Sequence, residues 1–208
     1  SAVIAERCEW ELDLETFHFP EFDLERLRTD EGHQQPAATP GVGEPSRTFL
    51  RRLCEDGTMR LYGHLTGTVR ERLDHELEII EDKGLVDYFL IVWDIVRFAR
   101  SQGIFCTGRG SAGDSLVSYV LGITHADPIA HDLLFERFLN PERRNMPDID
   151  VDFDTRRRDE VTKYIYDTYG VERVAAVCTV NTFRARSAIR EIGHALGFSD
   201  EEIGRVAS

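Results

Sequence analysis

Apolar residues recur along this chain with two different periods, and the change between them organises it. From Ser46 the spacing is helical, with Phe49, Leu50 and Leu53 on one face until Gly57, where the run is expected to break. Thr68-x-x-Glu71 reads as a capping box for a helix that carries Val69, Leu73, Leu77 and Ile80 on one stripe and stops at Gly84. Tyr88 to Gln102 is apolar around most of its circumference and closes at Gly103, which predicts a central, largely buried helix. Ile104 to Thr107 reads as a short buried strand running into the glycine-rich turn 108–113, followed by a helix from Asp114 to Leu121. At Pro147 the period becomes two, so that Asp148, Asp150 and Asp152 alternate with Ile149, Val151 and Phe153 along a predicted strand. Asp154 or Thr155 is placed to cap a helix through about Tyr169, with Val161, Ile165 and Tyr169 inward. The β-branched stretch from Arg173 to Val180 predicts a strand. Thr182 opens a helix with Ala185, Ala188, Ile189, Ile192 and Leu196 as its buried stripe, and Ser199-x-x-Glu202 caps one more, cut at Ser208, which reads as the mark of a fragment.

With 208 residues and 41% hydrophobic content the chain suffices for one domain with appendages. There is no run of eighteen apolar residues, and the first residues lack the basic and apolar regions of a signal peptide, so a soluble, cytoplasmic protein without a membrane partner is expected. Residues 1–46 read as an N-terminal extension, acidic and dotted with Trp10, Phe17, Phe19 and Phe22, running into a linker at 33–43. Cys8, Cys54, Cys106 and Cys178 form no C-x-x-C pair and read as ordinary reduced cysteines, while His18 and His33 lack partners at ligand spacing and His75 reads as a packed or surface histidine. A net charge of −13 argues against a nucleic-acid partner until its distribution is considered. Residues 1–108 hold 21 acids against 12 bases, but residues 109–190 hold 13 against 12, with the arginines clustered at 143–144, 156–158 and 184–190. Clustering matters more than total charge for contacting phosphates.

Two stretches carry candidate chemistry. On a strand the three aspartates share one face, with neighbours about 6–7 Å apart, close enough for an adjacent pair to hold two divalent cations; the first and third, roughly 13 Å apart, cannot share them. Hard oxygen ligands point to Mg²⁺, or Mn²⁺ in its place, rather than zinc. The plainer reading is an edge strand with a solvated acidic face. The strand, glycine turn and helix start around 104–121 form an anion site in principle, from free backbone N–H groups, the Ser111 hydroxyl and the Arg109 charge; the plainer reading is a structural turn, since no Walker lysine follows. In this order, the two stretches suit a nucleoside triphosphate whose phosphates rest on the turn while the carboxylates hold bridging metals.

The segments GLVDYFLIVWDIVRFAR (84–100), GRGSAGDSLVSYVLGIT (108–124), DPIAHDLLFERFLNPER (127–143) and MPDIDVDF (146–153), with RRDEVTKYIYDTYG (157–170) and TFRARSAIREIGHALG (182–197), closely resemble the bacterial C-family DNA polymerase III α subunit of the DnaE type. The resemblance implies an α/β (α+β) fold, a truncated polymerase-β-like nucleotidyltransferase palm with a mixed sheet and flanking helices, over 47–178, and the start of a thumb at 179–208. It implies that Asp148 and Asp150 are the catalytic, metal-holding aspartates for two Mg²⁺ ions. It further implies that Gly110 and Ser111 cradle the incoming deoxynucleoside triphosphate (dNTP), with Arg109 and Arg137 neutralising its charge, and that Arg184, Arg186 and Arg190 lie along primer-template DNA. Asp152 is not marked as a ligand, and Asp114, where the family keeps a small neutral residue, is expected to point away and cap the following helix. A third carboxylate, the fingers, and the sliding-clamp and replisome contacts would lie outside the chain, leaving this piece inactive alone. An error-prone translesion polymerase of the same type and a template-independent nucleotidyltransferase are the competing readings, followed by a non-enzymatic interaction module.

Overall fold

The computed structural model of the chain describes residues 20–29, 39–140, 147–177, 179–180 and 182–207, which fall into two compact units, one up to Arg173 and one from Val174. In the first, a short helix α1 (Leu24–Thr29) precedes three long ones, α2 (Ser46–Tyr62), α3 (Gly67–Asp82) and α4 (Val86–Ser101). Strand β1 (Cys106–Arg109) leads through a 3₁₀ turn (Gly110–Asp114) into the short helix α5 (Leu116–Val120). A second 3₁₀ turn (Phe135–Arg137), strand β2 (Asp150–Phe153) and helix α6 (Arg158–Tyr169) complete the unit. The expected mixed sheet is, among the described residues, a two-stranded antiparallel ribbon of β1 and β2. Likewise among the described residues, no helix is long and apolar enough to cross a membrane.

Helix α4 is central, as its nearly all-round apolar surface predicts: Phe89, Leu90, Val92, Trp93, Val96 and Ala99 are buried, and it packs against α2, α6 and β1. Four fully buried phenylalanines, Phe49, Phe89, Phe135 and Phe138, anchor the core, each burial stabilising by about 1.5–3 kcal/mol. Phe89 and Phe138 meet edge to face at 6.1 Å, and Phe135 meets Phe138 in the same way at 6.2 Å, so the segment leading to the acidic strand is tied to α4. Asp94, a fully buried carboxylate on α4, accepts hydrogen bonds from Arg26 (2.7 Å), Arg97 (2.8 Å) and the Tyr164 and Tyr169 hydroxyls (2.8 Å each), joining α1, α4 and α6.

Several local expectations give way to tertiary contacts. Gly57 does not break α2: the helix runs through it, because the missing side chain lets α2 approach α5 so closely that a Cβ would lie 2.2 Å from the Val120 carbonyl oxygen. Helix α3 is capped by Thr66, whose hydroxyl accepts from the Val69 amide, and not by Thr68. Strand β1 starts two residues after Ile104, which is buried in the core. Asp154 does not cap α6; its carboxylate takes the Arg156 amide (3.0 Å) and side chain, while its own amide extends the ribbon by donating to Phe105 O (2.9 Å). No strand forms in the described part of 173–180; β-branched composition marks a fit to a pleated surface and does not by itself build a ladder. His18, His33, Cys8 and Cys178 lie outside the described residues, whereas Cys54 and Cys106 are free and buried. His75 is half exposed and pairs with Glu136 (3.2 Å).

The second unit is a helical hairpin of α7 (Ala185–Ala195) and α8 (Asp200–Ala207). Its capping box forms as expected, with Glu202 accepting from the Ser199 amide (2.9 Å) and Ser199 Oγ accepting from the Glu202 amide (3.4 Å). Gly193 faces Ile203, where a Cβ would come within 2.7 Å of the isoleucine. The predicted stripe of α7 is not buried within the unit: Ile192 is 59% and Leu196 70% exposed. Two short helices cover only one side of each other, and the rest of an apolar stripe wide enough for a core stays open.

Candidate active site on the two-stranded ribbon

Alternation along the acidic segment is as the period of two requires: Asp148, Asp150 and Asp152 are exposed, while Ile149, Val151 and Phe153 are half-buried and pack against the core. Antiparallel pairing sets Arg109 directly opposite Asp150. Its guanidinium lies between two members of the acid row, Nη1 3.4 Å from Asp150 Oδ2 and Nε 3.3 Å from Asp152 Oδ1. One basic side chain thus offsets part of the repulsion that like charges on one strand face would otherwise impose.

The acidic segment is held from below by a residue that sequence reasoning missed. Tyr88, in the first turn of α4, accepts the Ile149 amide hydrogen on its hydroxyl oxygen at 2.9 Å. Burial raises the Tyr88 pKa above its ordinary value, and the negative charges of Asp148 and Asp150 raise it further, while the bond from Ile149 opposes them. The same phenol therefore feels both carboxylates. No local pattern marks it, since a tyrosine at the start of an apolar helix reads as core.

The glycine turn is where the expectation needs most revision. Gly110 adopts φ +67°, a left-handed conformation that favours glycine, and Gly108 lies so close to the 121–124 segment that a Cβ would come 2.9 Å from the Ile123 carbonyl oxygen. Ser111 is exposed beside them. The start of the following helix, however, is not available to an anion. The side chain of Glu76, fully buried on α3, accepts the amides of Leu116 (3.0 Å) and Val117 (3.1 Å) and the Ser115 hydroxyl (2.8 Å), and Ser115 Oγ in turn accepts the Ser118 amide (3.1 Å). Any phosphate must therefore use the turn itself. Burial pushes the Glu76 carboxyl up from its ordinary value against the opposing pull of these donors and of Arg72.

Asp114 does not cap the helix either; Ser115 does, and Asp114 closes the 3₁₀ turn with its carboxylate 3.6 Å from Arg137 Nε. That contact brings the exposed Arg137 against the end of the turn, so Arg109 stands at one end of Gly110–Asp114 and Arg137 at the other. Arg184, Arg186 and Arg190 are exposed in the second unit, Arg184 at the N-cap position of α7 and the other two on the helix, and none makes an ion pair with a described residue.

The donor set on the ribbon is all hard oxygen, which suits Mg²⁺. Among the described residues no three histidine, cysteine, aspartate or glutamate side chains converge as a metal cage, and Arg109 already engages Asp150, so a cation there competes with a guanidinium. The arrangement fits two carboxylates contributing to a site rather than a complete one. The surface is open: a cleft of ≈ 650 Å³ lined by Arg60, Trp93, Arg97, Arg100 and His125 includes none of the ribbon carboxylates.

The sequence model of the bacterial DNA polymerase III alpha NTPase domain matches residues 48–208. A protein of Symbiobacterium thermophilum named error-prone DNA polymerase is 52% identical over 205 residues, covering 99% of this chain and 17% of that protein. Another with the same name, from Cutibacterium acnes, is 53% identical over 157 residues, 76% of this chain and 14% of its own length. One from Halalkalibacterium halodurans named DNA polymerase III subunit alpha is 44% identical over 206 residues, 98% and 17% of the respective chains. The chain therefore spans about a sixth of the length of these curated relatives.

Proposed function

The chain belongs to the bacterial DNA polymerase III alpha family, and from that premise we propose that it is the part of a DNA-directed DNA polymerase that holds the incoming dNTP and two of the metal-binding carboxylates, in a palm of the polymerase-β type over 47–178 with the thumb beginning near 179. The observation that carries this reading is the β1–β2 register, which couples the glycine turn directly to the acid row through Arg109 and Asp150. In it, Asp148 and Asp150 hold the divalent cations, whose chemistry when bound is to favour the primer 3′-alkoxide and offset the charge on the leaving pyrophosphate. Gly110 and Ser111 present backbone and hydroxyl donors to the triphosphate, and Arg109 and Arg137 flank it with positive charge. Asp152 then has a role that is not ligation: by accepting from Arg109 Nε it would keep that guanidinium at the mouth of the turn if Asp150 were engaged in holding a divalent cation. Arg184 and Arg186 fit a DNA-facing role, because an exposed cation at a helix N-terminus is mildly unfavourable to the helix and a DNA phosphate beside it relieves that.

Asp148→Asn or Asp150→Asn in the full-length enzyme should reduce primer extension to background while leaving primer-template affinity within about 2-fold, since neither change alters a phosphate contact. Polymerisation retained by both variants would remove the assignment. Within the family, relatives bearing the error-prone name run from 44% to 53% identity and one bearing the replicative name stands at 44%, so a translesion role is favoured only by the upper end of that range. Extension across an abasic template site by the full-length protein separates the two: bypass supports the translesion role, and a stop one nucleotide before the lesion supports the replicative one.

A further inference from the structure

We infer that Glu76 and Arg72, neither of which faces the acid row, are the positioning residues of the triphosphate turn; the inference rests on the function proposed above. Glu76 is a fully buried carboxylate on α3, and three of its bonds go to one place, the Ser115 hydroxyl and the amides of Leu116 and Val117, immediately after the glycine turn. Arg72, one helical turn earlier, donates its Nε to Glu76 (2.6 Å) and spreads its Nη2 between two carbonyl oxygens, Asp114 O at 3.1 Å and Leu133 O at 2.9 Å. The first of those carbonyls ends the glycine turn, and the second lies two residues before the 3₁₀ turn that carries Arg137. A single pair of side chains on α3 thus sets both the height of the Gly110–Ser111 backbone and the placement of Arg137, and Asp114 links the two from the far side through its contact with Arg137.

Chemistry makes this brace demanding. Both oxygens of Glu76 receive donors only, so an amide in its place turns an NH₂ group toward at least one N–H that must be accepted. The helix start then moves, and the turn moves with it. Because α5 is only five residues long and is followed at once by a tight turn at Gly122, little of it can absorb the shift. A turn that binds phosphate through backbone groups loses affinity when displaced by a fraction of an ångström, while Asp148, just before β2, and Asp150, its first residue, stay where Tyr88 and the ribbon hold them.

Single-nucleotide incorporation by the full-length enzyme tests this. Glu76→Gln is expected to raise KM for the dNTP by about 10-fold or more, with kcat within about 3-fold and primer-template affinity unchanged. Ser115→Ala, a milder change that removes one of the same bonds, should raise KM in the same direction by less, and serves if Glu76→Gln fails to fold. Asp94→Asn is the control, a buried carboxylate of similar bonding that joins α1 to α6 and not the turn; it should lower the melting temperature without raising KM. An unchanged KM in Ser115→Ala and in any folded Glu76→Gln, or a rise in KM no greater than that of Asp94→Asn at matched loss of melting temperature, overturns the inference. Polymerisation that survives both aspartate-to-asparagine changes on the ribbon would instead sink the functional reading, whatever Glu76→Gln does.

Discussion

At the scale of single residues, the positions that matter most are those where a side chain is absent or answers to something far away. Gly57 is a glycine for a packing reason: the Val120 carbonyl occupies the space where a Cβ would go. Gly57→Ala should destabilise the protein by about 1–3 kcal/mol despite alanine's better helix propensity, because α2 and α5 must separate. Urea unfolding followed by circular dichroism measures it, and a neutral or stabilising result would mean that the two helices tolerate a wider spacing. Reading Gly57 as a helix breaker is what its propensity supports in isolation; the opposite role requires knowing which backbone lies against it. Asp114 shows the same gap, since a short acidic residue ahead of an apolar run looks like an N-cap, yet its next neighbour Ser115 takes that role while Asp114 meets Arg137.

At the scale of elements, the buried carboxylate of Asp94 decides whether α1 and α6 stay on α4. Burial pushes its pKa up, but the charges and hydrogen bonds of Arg26 and Arg97 outweigh burial and hold it below the ordinary carboxylate value. Its folded pKa being depressed, the stabilisation is fully present above about pH 4, the unfolded value, and is lost as pH falls through the folded value. Wild-type stability should therefore drop on acidification below about pH 4, and Asp94→Asn, which cannot titrate, should show both a lower melting temperature at pH 7 and a shallower acid dependence. Equal acid slopes in the two proteins would show that other carboxylates carry the effect. The element boundaries were mostly legible from the pattern: the central helix, the alternating acid strand and the Ser199–Glu202 box all stand within a few residues of where periodicity and capping put them. The predicted strand at 173–180 is missing from the described residues because β-branched composition describes a fit to a pleated surface and does not by itself supply a pairing partner.

At the scale of the molecule, the two units ask for different tests. The first carries the ribbon and its turn; the second is a hairpin with an open apolar groove lined by Ile189, Leu196 and Val206 and three arginines with no ion-pair partner among the described residues. If those arginines meet DNA phosphates, replacing Arg184, Arg186 and Arg190 together by alanine in the full-length enzyme should weaken primer-template binding about equally for all sequences. It should also flatten the dependence of log affinity on log salt by about 2–3 units, one for each lost phosphate contact. A salt slope identical to wild type would place them away from the duplex.

The spacing of residues along the chain determined, without help, the helices from Ser46 onward, the strand that alternates acid with apolar, the glycine turn ahead of it and the likeness to a family. All of these are properties of neighbours a few positions apart, which a linear pattern records. Only the tertiary structure decided that Arg109 would lie across Asp150 and Asp152, that Tyr88 would hold the strand from beneath, and that Glu76 would claim the helix start expected to receive phosphate. Those pairings join residues separated by roughly forty to sixty positions, and which distant donor reaches which acceptor depends on how helices pack, information that no local period contains.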